Sequence, residues 1–205
     1  MIDWLIFIPA CFALNLAFGP NNLLAMTHGS RAGVLFAQRA AFGRLLVFVP
    51  MIVVSALGLG VVLTASATLF TFVKIVGAAY LIWLGVALWR SAQTIDVEMG
   101  RTSTSSLGRA FRAEGLVALS NPKAILIFAA FFPQFVDLNS YWQSYAALGF
   151  AFLTMEAVAI FAYASAGHFA SRFASGKLPV MQRVSGVTMF VFGVLLLVSP
   201  QPTRQ

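Results

Sequence analysis

Apolar residues run through this chain in blocks of about twenty, and polar residues collect in the stretches between them. Blocks of that length mark membrane-spanning helices. Six are predicted, over residues 4–27, 42–64, 67–89, 114–136, 143–166 and 182–199. The ten-residue alternation of a barrel strand is not seen. The expected fold class is therefore an all-α polytopic membrane protein with six transmembrane helices.

Composition agrees. Of 205 residues, 60% are hydrophobic and 9% charged, against roughly 25% charged in a soluble domain. The first block is not a cleaved leader, because it lacks a positive start, opens with Asp3 and is too long. The links between blocks two and three and between four and five hold no Lys or Arg. The other three are basic: Arg31 and Arg39, then Arg90, Arg101, Arg109 and Arg112, then Arg172 and Lys177. The positive-inside rule places these links in the cytoplasm and both termini outside. That asymmetry accounts for most of the +7 net charge and leaves no call for a nucleic-acid partner.

The longest polar stretch separates a first three-helix half, 1–89, from a second, 114–205, across a cytoplasmic linker at 90–113. Halves with an odd number of spans enter the membrane from opposite sides, so related halves would form an inverted repeat. The "GPNN" at 19–22 and the "NPKA" at 121–124 are a weak internal echo. Both prolines fall nearer the cytoplasmic side, whereas strict inverted symmetry requires mirrored depths.

Those two stretches carry the candidate chemistry. Pro20 removes a helix donor and frees the carbonyl of Leu16, and Pro122 frees that of Ala118. In lipid such groups need partners. Each motif reads as a fresh helix start, with Gly19 or Asn121 at the N-cap and proline at the first helical position. A helix N-terminus favours an anion, and Lys123 adds a full positive charge. The candidate substrate-binding set is Asn15, Gly19, Pro20, Asn21, Asn22, Asn121, Pro122 and Lys123. Asn15, Gly19 and Asn22 share a face at i, i+4 and i+7. The competing reading is a pair of proline kinks with asparagines bonding neighbouring helices.

Glu156 lies deep in the fifth block, where an ionisable group costs about 2.5–3.5 kcal/mol to insert. It is either a proton-coupling carboxyl group or a pin that pairs with Lys123. Gly149, Glu156 and Tyr163 share one helix face. Arg44 and Lys74 are expected to snorkel to the interface, and His28 and His168 to be interfacial. Gly77, Leu81, Gly85, Gly186 and Gly193 are close-packing positions. Cys11, the only cysteine, is apolar filler. With two histidines it makes no metal-ligand cluster, and no cofactor or nucleotide motif is present.

The residues also bring a resemblance. "GPNN", "SRAG" at 30–33, "GAAYLIWLG" at 77–85, "LSNPKAILIFAAFFPQFV" at 119–136 and "RVSGVTMFVFGVLLL" at 183–197 are similar to stretches of the lysine-exporter (LysE/RhtB) family of bacterial amino-acid exporters. The resemblance implies a six-helix inner-membrane antiporter that moves a small amino acid or derivative against protons, with lipid around it; a homodimer is compatible. Two departures stand out. Phe18 replaces the first proline of the family's Pro-Gly-Pro-Asn, and Arg44 follows Gly43 where an acid is usual. Arg44 makes a neutral cargo more attractive than a cationic one. The rival functions are a membrane scaffold or an intramembrane enzyme using Glu156. The enzyme lacks a second catalytic partner at depth.

Overall fold

A computed structural model describes residues 2–65, 67–91, 106–170 and 178–198. Helices account for nearly all of it: α1 (Trp4–Leu16), α2 (Pro20–Ala32), α3 (Val34–Ala65), α4 (Ala67–Ser91), α5 (Leu107–Ser120), α6 (Pro122–Leu126), α7 (Tyr141–Ala170) and α8 (Leu178–Val198). No strand occurs among the described residues. Two stretches, Val34–Gly58 and Leu138–Phe169, are long and apolar enough to cross a membrane alone. The pairs Trp4–Leu16 with Pro20–Ala32 and Leu107–Ser120 with Pro122–Phe135 qualify as bent units, turning by 60° and 51°. Shorter apolar stretches, Lys74–Ala87 and Gly186–Leu195, lie in α4 and α8.

The boundaries differ from the hydropathy blocks. Only Gly33 separates α2 from α3. Its φ of 87° lies in the left-handed region, and its N–H bonds to the Gly29 carbonyl at 3.1 Å, so the helix ends at a glycine cap. The first basic link is therefore helical on both sides. Helix α5 begins at Leu107, inside the predicted linker, and residues 92–105 lie outside the described residues. Past α6 the chain tightens unevenly, through a π-helical turn at Ile127–Phe131 and a 3-10 turn at Phe132–Phe135.

The packing inverts the usual order of polar and apolar. Among the described residues the most voluminous fully buried side chain is Arg44, whereas Leu5, Phe150 and Val198 lie largely exposed. An apolar exterior around a polar interior suits a lipid surround. One side of that interior is aromatic: Phe48, Phe128, Phe132 and Phe152 meet edge to face at 5.0–5.7 Å, a favoured geometry for rings. Ser55 donates to the Phe128 carbonyl in the π turn.

Three helix pairs make the most extensive contacts: α2 with α7, α3 with α5 and α4 with α8. Each crosses where glycines bring backbones together. A Cβ on Gly167 would lie 2.0 Å from the Met26 carbonyl oxygen, and one on Gly29 2.1 Å from that of Ala164. Gly43 is as tight against the Phe111 carbonyl, and Gly85 and Gly186 oppose each other across α4 and α8. The expected close packing of Gly77, Leu81, Gly85, Gly186 and Gly193 is what the helices show. Gly167→Val should lower stability by about 1–3 kcal/mol or more, the usual range for overpacking. Thermal unfolding in detergent measures it, and an unchanged midpoint would mean α2 and α7 do not pack this closely.

Candidate functional site

The two helix breaks meet inside the bundle, and each is finished by residues of the other. Gly19 caps α2 with Pro20 at its first turn. Asn121 caps α6, its Oδ1 accepting the Lys123 N–H at 3.0 Å. The carbonyl freed by Pro20, that of Leu16, accepts the Tyr163 hydroxyl at 2.6 Å. The Ala118 carbonyl takes the Asn121 N–H at 3.3 Å. Asn121 Nδ2 donates to Asn21 Oδ1 at 2.7 Å, and Asn21 Nδ2 to the Glu114 carbonyl at 3.3 Å. Lys123 Nζ reaches back to the Leu14 and Ala17 carbonyls at 3.2 and 2.9 Å. Thus the residue after each proline donates to a backbone carbonyl of the other half's first helix, Lys123 at the end of α1 and Asn21 midway along α5.

Lys123 therefore stands at the C-terminal end of α1, where a cation complements the negative end of the helix dipole. It passes beside Gly19, where a Cβ would sit 3.6 Å from Nζ. Asn22 Nδ2 also serves this break, donating to the Asn15 and Ala17 carbonyls at 2.8 and 2.9 Å. Asn15 turns back along its own helix to the Cys11 carbonyl at 3.1 Å. The three-residue face of Asn15, Gly19 and Asn22 does not survive the 60° bend; side-chain bonds across the break hold the residues together instead. Asn15, Gly19, Asn21, Asn22, Asn121 and Lys123 are all buried, but Pro20 is exposed and Pro122 half-buried. The prolines shape the backbone and do not line the interior.

The largest correction concerns Arg44. It does not snorkel: it is fully buried and donates in four directions. Nε binds Glu114 Oε2 at 2.9 Å, Nη1 binds Glu156 Oε1 at 2.8 Å and Asn22 Oδ1 at 3.2 Å, and Nη2 binds the Asn21 carbonyl at 2.9 Å. The planar fork of a guanidinium suits this arrangement better than an ammonium would. Glu156 is accordingly paired with Arg44 and not with Lys123. Lys74 is buried as well. His28 is not simply interfacial either, since its Nε2 is buried 3.9 Å from Glu114 Oε1.

Glu114 was not among the candidates. A signal for it existed, because Ala110, Glu114, Ala118 and Asn121 fall at helical spacing and are all buried. Arg44 had one too, lying on the stripe Ala37, Ala41, Arg44, Phe48, Ile52 that faces inward along α3. With all four groups ionised, Arg44 and Lys123 balance Glu114 and Glu156, and the net charge is zero. Arg44 is already matched by two carboxylates. Among the described residues no group of three or more His, Cys, Asp or Glu side chains could hold a metal ion.

The family model of the LysE type translocator matches residues 12–200. The chain belongs to the LysE type translocator family. Its relatives bear bacterial names. An uncharacterized membrane protein of Vibrio cholerae is 31% identical over 78% of each chain. The homoserine/homoserine lactone efflux protein of Salmonella typhi is 30% identical over 94% of this chain and 95% of its own. The leucine efflux protein of Klebsiella pneumoniae is 26% identical over 94% and 92%. No solved structure matches. As a LysE type translocator the chain is a membrane protein, and the buried network occupies the heart of a translocator fold.

Proposed function

We propose that this protein is a secondary transporter exporting a small amino acid or amino-acid derivative across the bacterial inner membrane, with protons coupled through Glu156. The observation that carries the reading is the network itself: Arg44, Glu114 and Glu156 closed on one another, with Lys123 on the carbonyls beside them, where two broken helices meet inside an apolar fold. A buried ion cluster is poor glue, since desolvation offsets much of its attraction. It is a good site for a zwitterion, whose carboxylate can take over bonds from Lys123 or Arg44 and whose ammonium can take over Glu156 and the amide and carbonyl oxygens of the breaks. The substrate would rest among Asn15, Gly19, Asn21, Asn22, Asn121 and Lys123, beside the backbone bends at Pro20 and Pro122. The efflux functions named for two relatives support this substrate class.

Six crossings follow if each bent pair counts as one span beside α3, α4, α7 and α8, with both termini external by the charge of the links. An inverted repeat gains support from the packing. Taken span by span, exchanging the halves turns the contact of the first bent unit with α7 into that of the second bent unit with α3 and leaves α4–α8 unchanged, although helix by helix α2 corresponds to α6 and not to α5.

Counterflow of labelled homoserine, leucine and lysine into proteoliposomes tests the function; no counterflow from a wide amino-acid panel would overturn it. Lys123→Met should weaken substrate affinity about tenfold to hundredfold, the worth of a hydrogen bond to a charged group at about 1.5–3 kcal/mol. Unchanged affinity with a lowered unfolding temperature would reduce Lys123 to a helix cap.

A further inference from the structure

Two buried polar atoms of the network have no hydrogen-bond partner, the Nε2 of His28 and the Oε1 of Glu114. They face each other at 3.9 Å, too far for a hydrogen bond and close enough for strong electrostatic interaction. Buried polar groups are rarely left unpaired, because each orphan is costly. Here two orphans share one gap. A single added proton answers both: on Nε2 it makes an N–H aimed at the carboxylate, and on Oε1 it makes an O–H aimed at the imidazole lone pair. We propose that His28 and Glu114 form a one-proton site at the Gly33 end of the network, and that its occupancy controls whether Arg44 stays bound to Glu114.

The surroundings support the assignment. Glu114 has no exposed side-chain surface, whereas that of His28 is 11% exposed. His28 is thus the member through which a proton arrives, from the side of the basic Arg31–Arg39 segment. The Phe36 ring of α3 meets the imidazole edge to face, with centroids 5.9 Å apart. The charged groups around it are Glu114 on α5, 3.9 Å away, and Arg44 on α3 and Arg31 on its own helix; a carboxylate attracts a proton and the two cations repel one. Glu156 on α7 lies beyond Arg44, bound to it. The step is a simple transfer: hydronium gives its proton to the gap and leaves water. A proton there weakens the carboxylate that holds Arg44 Nε at 2.9 Å. The guanidinium then leans on Glu156 or on the carboxylate of a substrate. The control of export rests on the proton-coupled reading above; the proton site does not.

The sequence contains two histidines, so His28 can be followed with His168 as the internal control. Histidine-labelled protein in detergent, titrated by NMR, should show Glu114→Gln lowering the His28 protonation midpoint by about one pH unit or more, tenfold in proton affinity, while His168 stays put. His28→Gln leaves every Arg44 bond in place and should flatten the dependence of export on internal pH, with counterflow retained. Should Glu114→Gln not fold, the His28→Gln pH profile decides alone. A His28 midpoint indifferent to Glu114→Gln overturns the site. A moved midpoint with an unchanged export profile in His28→Gln overturns its control of Arg44. Wild-type export that ignores the pH gradient overturns the coupling reading instead, and the histidine titration still decides whether the pair holds a proton.

Discussion

Arg44→Met should yield little folded protein. The substitution leaves Glu114 and Glu156 facing each other's charge with no cation between them, and removing one partner of a buried pair costs about 3–5 kcal/mol. It also strands the Asn22 Oδ1 and Asn21 carbonyl acceptors that Nη1 and Nη2 now satisfy. Arg44→Lys should recover only part of the loss, because one ammonium cannot span two carboxylates and two further acceptors in those directions. The informative companion is the triple variant Arg44→Met with Glu114→Gln and Glu156→Gln, which removes all three charges. It should purify and unfold at a temperature near the wild-type value while failing to transport. Unfolding temperatures in detergent measure all three. A single Arg44→Met variant as stable as wild type would show that water reaches both carboxylates and that the network is not closed.

Glu156→Gln has the largest functional effect expected. The amide keeps an oxygen for Arg44 Nη1, so the bond seen at 2.8 Å has a neutral successor and the fold should hold. What the amide cannot do is take up and release a proton. Export driven by an imposed pH gradient should fall to the level of empty vesicles, while counterflow of labelled substrate persists. The charge balance shifts too, since Arg44 and Lys123 would face Glu114 alone, so substrates with an extra negative charge should compete better in this variant. Undiminished gradient-driven export would leave Glu156 as a counter-ion for Arg44 and nothing more.

What could be read from the sequence was whatever depends on one helix at a time. Blocks of apolar residues announced a helical membrane protein, and Gly19-Pro20 and Asn121-Pro122 announced where helices start afresh. Each is a local property: hydropathy sums over a segment, and a proline acts on the carbonyl one turn back. The need of the Leu16 carbonyl for a partner was legible; that Tyr163 meets it was not. The candidates Asn15, Asn21, Asn22, Asn121, Lys123 and Glu156 were found because polar residues inside apolar blocks stand out. Arg44 and Glu114 were passed over because they stand at block ends, where a charge looks solvated. Their burial depends on which helix faces meet. Arg44 finds its carboxylates 70 and 112 residues away, at the glycine crossing of α3 on α5 and on the inner face of α7. A hydropathy window averages every face of a helix and cannot record a facing partner. Only the packed bundle decides that a side chain with so great a reach for water is kept from it entirely.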